Sequence, residues 1–386
     1  MHILMDGIHL VVQMKGVGRY ALNTLEQMVR LDTSLQVSVL SLDEALFKTI
    51  PQCNRVKSIH VGWRNHLWHG FKTLPMWVKQ VRPDVVFIPY ETTIARLNRP
   101  YAMVCHDIPN KIREAQKQVV GGSLGIKNRL YYWWDDLLMR RSLRGAETVF
   151  CNSEYVGEWV RKEVKVSGSR IVLAPCAPGA DFFHLSQKVN VQTVRERLGT
   201  PEGYILAFCT GDLRENFGVV PRVYERIVGS GFKQKLVIAG VHDDVRGLVK
   251  SSLFGFRWHD SVRIVPFLES GREKELAELY TAASVYIDPS LQEGFGMQVV
   301  EAMACGTPVV CSNRGALPEV AGNAALFVDP EDPPDIASAV GKVLKDERLR
   351  TRLRSYGYDR AASFSWEGTA KVICKKLSEL VDGKVL

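Results

Sequence analysis

The sequence predicts an α/β protein built from two Rossmann-like, doubly wound halves with a cleft between them. Three observations carry that expectation. The 386 residues exceed what one ordinary core uses, so two domains are expected. Short β-rich apolar runs alternate with segments of helical period, the pattern of parallel sheets joined by crossovers. A single stretch between Ala174 and Phe183, with two prolines and a glycine, breaks the alternation, which then restarts.

The elements follow in order. HILMDG reads as a strand, and GVGRYALNTLEQMVRL as a glycine turn with Tyr20, Leu22, Leu25, Met28, Val29 and Leu31 at helical spacing. Leu35–Leu40 is a second strand. RPDVVFIPY is a helix end, a proline stop and a buried strand. Strand Tyr101–Cys105 runs into a loop at His106, and AETVFCNSEYVGEWVRKEV is strand, Asn/Ser cap and helix. After the break, YILAFCTGDL, KLVIAG, SVRIVPF, ASVYIDPS and TPVVCSN read as strands between helices. The expected domains are 1–176 and 177–365, with a terminal helix from about Trp366 to 386 packing back on the first. Ligands of such sheets bind at the carboxyl ends of the strands.

Composition narrows the function classes. An apolar fraction of 46% and a charged fraction of 24% fit a globular chain and exclude disorder. No apolar run reaches bilayer-spanning length. The opening MHILMDG lacks a basic flank and a cleavage site, so a cytoplasmic protein is expected. The eight cysteines form no CxxC pair and are expected to be reduced, buried thiols. The formal charge of +8 suits an anionic partner. No nucleic-acid-reading motif accompanies it, so nucleic acid is not the expected partner.

The most informative stretch is PSLQEGFGMQVVEAMACGTPVVCSNRGALPEVAG, residues 289–322. Glu293 lies in a glycine-flanked loop, and Met297–Ala304 holds good helix formers without a breaker. The reading is a tight Gly294–Phe295–Gly296 turn feeding a helix N-terminus, where free N–H groups and the dipole make an anion site. Glycine there lets backbone approach a ligand closely. A carboxylate beside an anion site suits sugar hydroxyls, and a sugar nucleotide offers both hydroxyls and diphosphate. A glycosidase acid/nucleophile pair is disfavoured: if helical, Glu293 and Glu301 stand about 12 Å apart, against roughly 5 Å in retaining hydrolases. Taken alone, Glu301 would read as a helix cap or a solvated residue, His106 as a structural histidine, and Gly16 and Gly18 as an ordinary turn.

EGFGMQVVEAMACGTPVV resembles the Glu-x7-Glu signature of the retaining glycosyltransferases of family 4, which have the GT-B fold. GVGRYALNTL, VCHDIP, NSEYVGEWVRKE, YTAASVYIDPS and LPEVAGNAALFVDP resemble further family segments, in the right order over most of the chain. The resemblance implies transfer of a hexose from a nucleotide-diphosphate sugar, GDP-mannose or UDP-hexose, to a glycan or lipid-linked acceptor, with no cofactor and no metal. It implies that Glu293 holds donor hydroxyls, and that Gly294, Phe295, Gly296 and Met297 present backbone to sugar and diphosphate. Glu301 would bind the ribose, Arg214 would neutralise the diphosphate with Asn216 beside it, Gly16 and Gly18 would approach the phosphates, and His106 would lie near the donor sugar. The chain contains no Asp-x-Asp pair of the kind that holds a divalent ion in the other large transferase fold. It departs from the family at Glu215, where a phosphate-binding lysine is common, and at Gln298, where proline is frequent. A carboxylate beside a diphosphate is unfavourable unless it points away. The alternatives are a non-catalytic sugar-nucleotide-binding subunit and a GT-B-type epimerase.

Two basic, aromatic segments stand apart. Residues 55–82 hold six Lys/Arg and no acid, with Trp63, Trp68 and Trp77. Residues 111–141 hold seven Lys/Arg against three acids, with Tyr131, Tyr132, Trp133 and Trp134. Ile126, Leu130, Trp133, Leu137 and Leu138 mark one helical face. That face reads either as core with a solvated rim or as an interfacial helix resting on an anionic membrane.

Overall fold

The computed structural model describes all residues except 9, 11–15, 43–53, 63–67, 92–96, 110–125, 180, 254, 256–258, 269–271 and 384–386, and backbone only at 126–132, 135 and 248. The chain divides into two compact units, one from 1–110, 123–176 and 365–386, the other from 177–364.

The first unit is built on a parallel sheet of β1 (His2–Asp6), β2 (Gln36–Ser41), β3 (Val56–His60), β4 (Val85–Ile88), β5 (Tyr101–Cys105), β6 (Thr148–Cys151) and β7 (Ile171–Leu173), in the order β3-β2-β1-β4-β5-β6-β7. β4, β5 and β6 are buried throughout, as the continuous apolar runs require of strands covered on both faces. One cluster joins Leu4, Leu40, Val86, Met103 and Val149 of the sheet to Leu74, Val78, Met139, Leu143, Val156 and Val160 of the helices above it. The helices Leu74–Val81 and Ile126–Gly145 therefore lie in one layer on the same face of the sheet. The terminal helix Trp366–Asp382 packs on helix Gly16–Leu31. Trp366 meets Tyr20 edge-on at 5.5 Å, and the Thr369 hydroxyl donates to the Pro175 carbonyl at 2.7 Å.

The second unit repeats the plan with β8 (Tyr204–Phe208), β9 (Lys235–Val241), β10 (Val262–Pro266), β11 (Val285–Asp288), β12 (Val309–Ser312) and β13 (Ala325–Val328), ordered β10-β9-β8-β11-β12-β13, all parallel. The order reverses at β8/β11. At such a switch point the neighbouring crossovers leave in opposite directions and open a crevice at the carboxyl ends.

Three strands were not among those read from the sequence. β3 lies inside the segment read only for its charge and aromatics, β7 is three residues long, and β13 follows a 3-10 turn. The helical face drawn through Trp133 and Leu137 also needs correction as a core face. Both residues are exposed, and the helix instead buries Met139, Ser142 and Leu143. Among the described side chains of this helix, burial falls on the 139, 142 and 143 positions, spaced three and four apart as a helical stripe requires. The side chains of Ile126, Leu130, Tyr131 and Tyr132, together with Trp63 and residues 111–125, lie outside the described residues.

Candidate donor site

Three loops meet at the carboxyl ends of β8, β11 and β12. The β8 loop, Thr210–Asn216, has a compact internal order. Asp212 caps it, its Oδ1 accepting from the Arg214 amide at 2.9 Å. Its Oδ2 accepts from Arg214 Nε and Nη2 at 2.9 and 2.7 Å. Asn216 takes the left-handed conformation (φ +52°) that ends the turn, and its amide nitrogen donates to the Pro330 carbonyl at 2.7 Å and the Pro289 carbonyl at 3.3 Å. That amide therefore ties the loop to its neighbours.

The β11 loop begins at Asp288, a buried carboxylate that accepts from the Ser290 hydroxyl and amide and from the Tyr286 hydroxyl. Burial raises the Asp288 pKa against those bonds. The loop joins the first through Leu291 N–H, which donates to the Arg214 carbonyl at 2.8 Å. Helix Met297–Ala304 starts where the sequence places it. Its N-cap is Gly296 at φ +91°, a conformation that glycine adopts without strain. Phe295 is buried, its ring edge-on against Phe364 at 5.3 Å, which anchors the turn to the core of the unit.

The β12 loop supplies the cradle. Ala316 N–H donates to the Glu293 carbonyl at 3.0 Å. Gly315 has φ +64°, and a Cβ there would stand 2.7 and 2.9 Å from the backbone oxygen and nitrogen of Glu293. The Glu293 backbone is thus held by a neighbour that only glycine can be. Glu301, one turn into its helix, is enclosed at 1% exposure and accepts from the Tyr280 hydroxyl at 3.2 Å. Arg214, Asn216, Glu293–Met297 and Glu301 therefore belong to one neighbourhood of the second unit.

Glu215 turns back on its own loop. Its carboxylate accepts from the Thr210 amide at 2.8 Å and the Thr210 hydroxyl at 2.7 Å. Burial pushes its pKa up to about 7; the Thr210 bonds pull it down, and Asp212 and Asp288 push it further up.

The remaining candidates lie in the first unit. Gly16 opens helix Gly16–Leu31 and Gly18 is buried in its first turn. His106 follows β5 with its Nε2 at 2.9 Å from the Pro89 carbonyl, and its ring meets Tyr20 edge-on at 4.7 Å. Tyr20 thereby connects the glycine-led helix to the histidine. Sequence reasoning passed over Glu91, whose Oε1 accepts from the amides of His106 and Asp107. It also passed over the buried pair of Asp6 at the end of β1 and His69, 2.9 Å apart. The only signal for either was its place at or near the carboxyl end of a strand. Among the described residues no group of His, Cys, Asp and Glu is arranged to hold a metal ion.

With these loops in view, the comparisons with known proteins are direct. Residues 14–177 match Glycosyltransferase Family 4 and residues 190–360 match Glycosyl transferases group 1. The chain belongs to the group 1, family 4 glycosyltransferases. It is 29% identical over 245 residues to O-antigen chain mannosyltransferase B of Escherichia coli, covering 62% of each chain. It is 42% identical over 120 residues to D-inositol 3-phosphate glycosyltransferase of Corynebacterium jeikeium, covering 31% of this chain and 29% of that one. The matched stretches span less than two thirds of these relatives. Sucrose-phosphate synthase from Thermosynechococcus elongatus superposes with a TM-score of 0.75 at 20% identity, over 99% of this chain and all of the other. Anabaena HepE in complex with UDP-glucose gives 0.73 at 15%, over 98% and 100%. The fold is therefore GT-B, with one parallel Rossmann-like sheet in each unit.

Proposed function

We propose that the protein transfers a hexose, with retention, from GDP-mannose or a UDP-hexose to a glycan or lipid-linked acceptor, without a metal ion. The observation that carries this reading is the three-loop junction at the β8/β11 switch point. It offers a guanidinium, a helix N-terminus and a rigidly seated Glu293 within one hydrogen-bonded unit. A leaving nucleotide diphosphate needs its growing charge met by pre-oriented donors. Arg214 and the amides of 294–297 are that set, and Glu293 takes the sugar hydroxyls. Glu301, anchored by Tyr280, takes the nucleoside end. His106, Gly16 and Gly18 are assigned to the donor by the family pattern.

In the proposed step the bond between the anomeric carbon and the diphosphate oxygen breaks, and its electron pair stays on that oxygen. An acceptor hydroxyl attacks the same face, and its proton passes to the departing oxygen. The bond formed is the new glycosidic bond. The similarity to O-antigen chain mannosyltransferase B and to the serotype-specific mannosyltransferase WbdA of Escherichia coli supports a mannose donor. Incubation with GDP-mannose or UDP-glucose and candidate acceptors, with product anomers assigned by NMR, tests the reading. Stoichiometric nucleotide diphosphate and a retained α-configuration, unaffected by chelator, are expected. Loss of activity on chelation with recovery by manganese would contradict the metal-free part. A donor that is bound but left intact, with no nucleotide diphosphate released, would favour the binding-subunit reading, and a donor converted to its epimer without stoichiometric nucleotide diphosphate would favour the epimerase.

A second observation supports an anionic membrane as the place of action. Trp68, Phe71 and Met76 on one helical stretch, and Trp133, Trp134 and Leu137 on another, are the most exposed large apolar side chains among the described residues. Met76 lies on Leu74–Val81 and the second set on Ile126–Gly145, both in the layer defined above; Trp68 and Phe71 lie just before Leu74, and Lys72, Lys79, Arg82, Arg141 and Arg144 are close to them in sequence. Exposed tryptophan beside lysine and arginine suits the headgroup region. No helix among the described residues is long and apolar enough to cross a bilayer.

A further inference from the structure

Glu215 occupies a place where charge logic alone would put a cation. Arg214 is the only cation of the Thr210–Asn216 segment. Its guanidinium is gripped by Asp212, and its carbonyl accepts from Leu291 of the neighbouring loop. Glu215 closes the same segment into a ring by taking both the amide and the hydroxyl of Thr210. The ring fixes where residues 211–214 run between their two ends. Removing the Glu215 carboxyl opens it and leaves the Thr210 amide and hydroxyl to find other partners.

We propose that Glu215 is the positioning residue of this loop: its clasp on Thr210 holds Arg214 in place for an anionic donor, and its proton sets how much positive charge that donor meets. The inference rests on the donor-site reading above and adds a regulatory term to it. When Glu215 carries its proton, the segment's charges are Arg214 and Asp212. When it loses the proton, a second carboxylate joins them, and a diphosphate meets a net negative loop. Among the described residues, the ionisable groups that interact with Glu215 are Asp212 from its own loop, Cys209 just after β8, and Asp288 and Tyr286 of β11. Asp212 and Asp288 oppose ionisation of Glu215, and none of these groups adds a positive charge. The inferred switch lies near neutral pH, in line with the raised Glu215 pKa of about 7. A nucleotide-diphosphate sugar has no terminal phosphate monoester, so it does not itself titrate there, unlike the free nucleotide diphosphate.

The experiment is calorimetric binding of GDP-mannose and UDP-glucose to wild type, Glu215→Gln and Glu215→Ala from pH 5.5 to 8.5. Gln keeps an acceptor for the Thr210 amide and cannot ionise; Ala keeps neither property. For whichever donor binds, wild-type affinity is expected to fall about five-fold as pH rises through 7. Glu215→Gln should hold the low-pH affinity throughout, and Glu215→Ala should bind weakly at every pH. A Gln variant with the wild-type pH profile would overturn the charge-setting role. An Ala variant with wild-type affinity at low pH would overturn the positioning role. Neither donor binding the wild-type protein at any pH would contradict the transferase reading itself, and this inference with it. Circular dichroism of each variant separates a misplaced loop from an unfolded unit.

Discussion

At the scale of single residues, Arg214 and Asp212 make unequal predictions. Arg214 is assigned to the diphosphate directly, and Asp212 acts through it by a two-nitrogen grip on one carboxylate oxygen. Arg214→Ala should lower kcat by about 10²–10³, the usual cost of removing one pre-oriented donor to a developing negative charge. Asp212→Asn should cost about ten-fold, because the amide capping survives while the charge-assisted bond is lost. Equal rates for wild type and Arg214→Ala would count against the site. Glu215 also bears on stability. Its folded pKa of about 7 stands above the ordinary carboxylate value of 4.5, so the fold keeps a proton that the unfolded chain releases. Stability contributed at low pH is therefore lost as pH rises from about 4.5 to 7, by up to about 3 kcal/mol. Urea unfolding of Glu215→Gln should lack that part of the slope. This carboxylate is also where sequence reading was least complete. The substitution for lysine was legible, but its direction was not, because the partner is a backbone amide and a hydroxyl five residues back.

At the scale of elements, the loop after β12 is as important as the loop that bears Glu293. Gly315 lies in the left-handed region with no room for a Cβ against the Glu293 backbone. Gly315→Ala should destabilise the second unit by about 2–3 kcal/mol, combining the left-handed cost with displacement of backbone. It should also reduce turnover more than that loss of folded protein explains, since Glu293 is reseated. Thermal melts and kcat measured on the same samples separate the two effects. The helix Met297–Ala304 and its glycine cap could be read from the sequence because helix formers follow a glycine turn without interruption. The cradle at Gly315 could not, since nothing in RGALPEV names the loop it touches. The same limit explains the helix of residues 126–145. Apolar side chains there mark a period, and only packing tells that Met139 and Leu143 go inward while Trp133 and Leu137 do not. Flotation with anionic liposomes tests the exposed set. Wild type should float at low salt, and Trp133→Ser with Trp134→Ser should weaken flotation markedly. A wild-type protein that stays wholly in the soluble fraction would contradict the membrane proposal.

At the scale of the whole molecule, the two units share one strand order over six strands, the first adding β7 at its edge, and ten of the thirteen strands were legible from composition and spacing. The terminal helix shows why sequence distance misleads. Trp366, Thr369, Ala370, Ile373 and Leu377 are buried, and the helix packs on Gly16–Leu31 from the other end of the chain. Trp366→Ala should cost about 3–5 kcal/mol of first-unit stability, read by urea unfolding of the full chain. The account as a whole turns on where a donor's charge is met. Hydrogen exchange of the full chain with and without saturating GDP-mannose or UDP-glucose tests this most directly. Slowed exchange of the backbone amides in 210–216 and 293–297 is the predicted result. Protection confined to other segments, with those two loops unchanged, would contradict it.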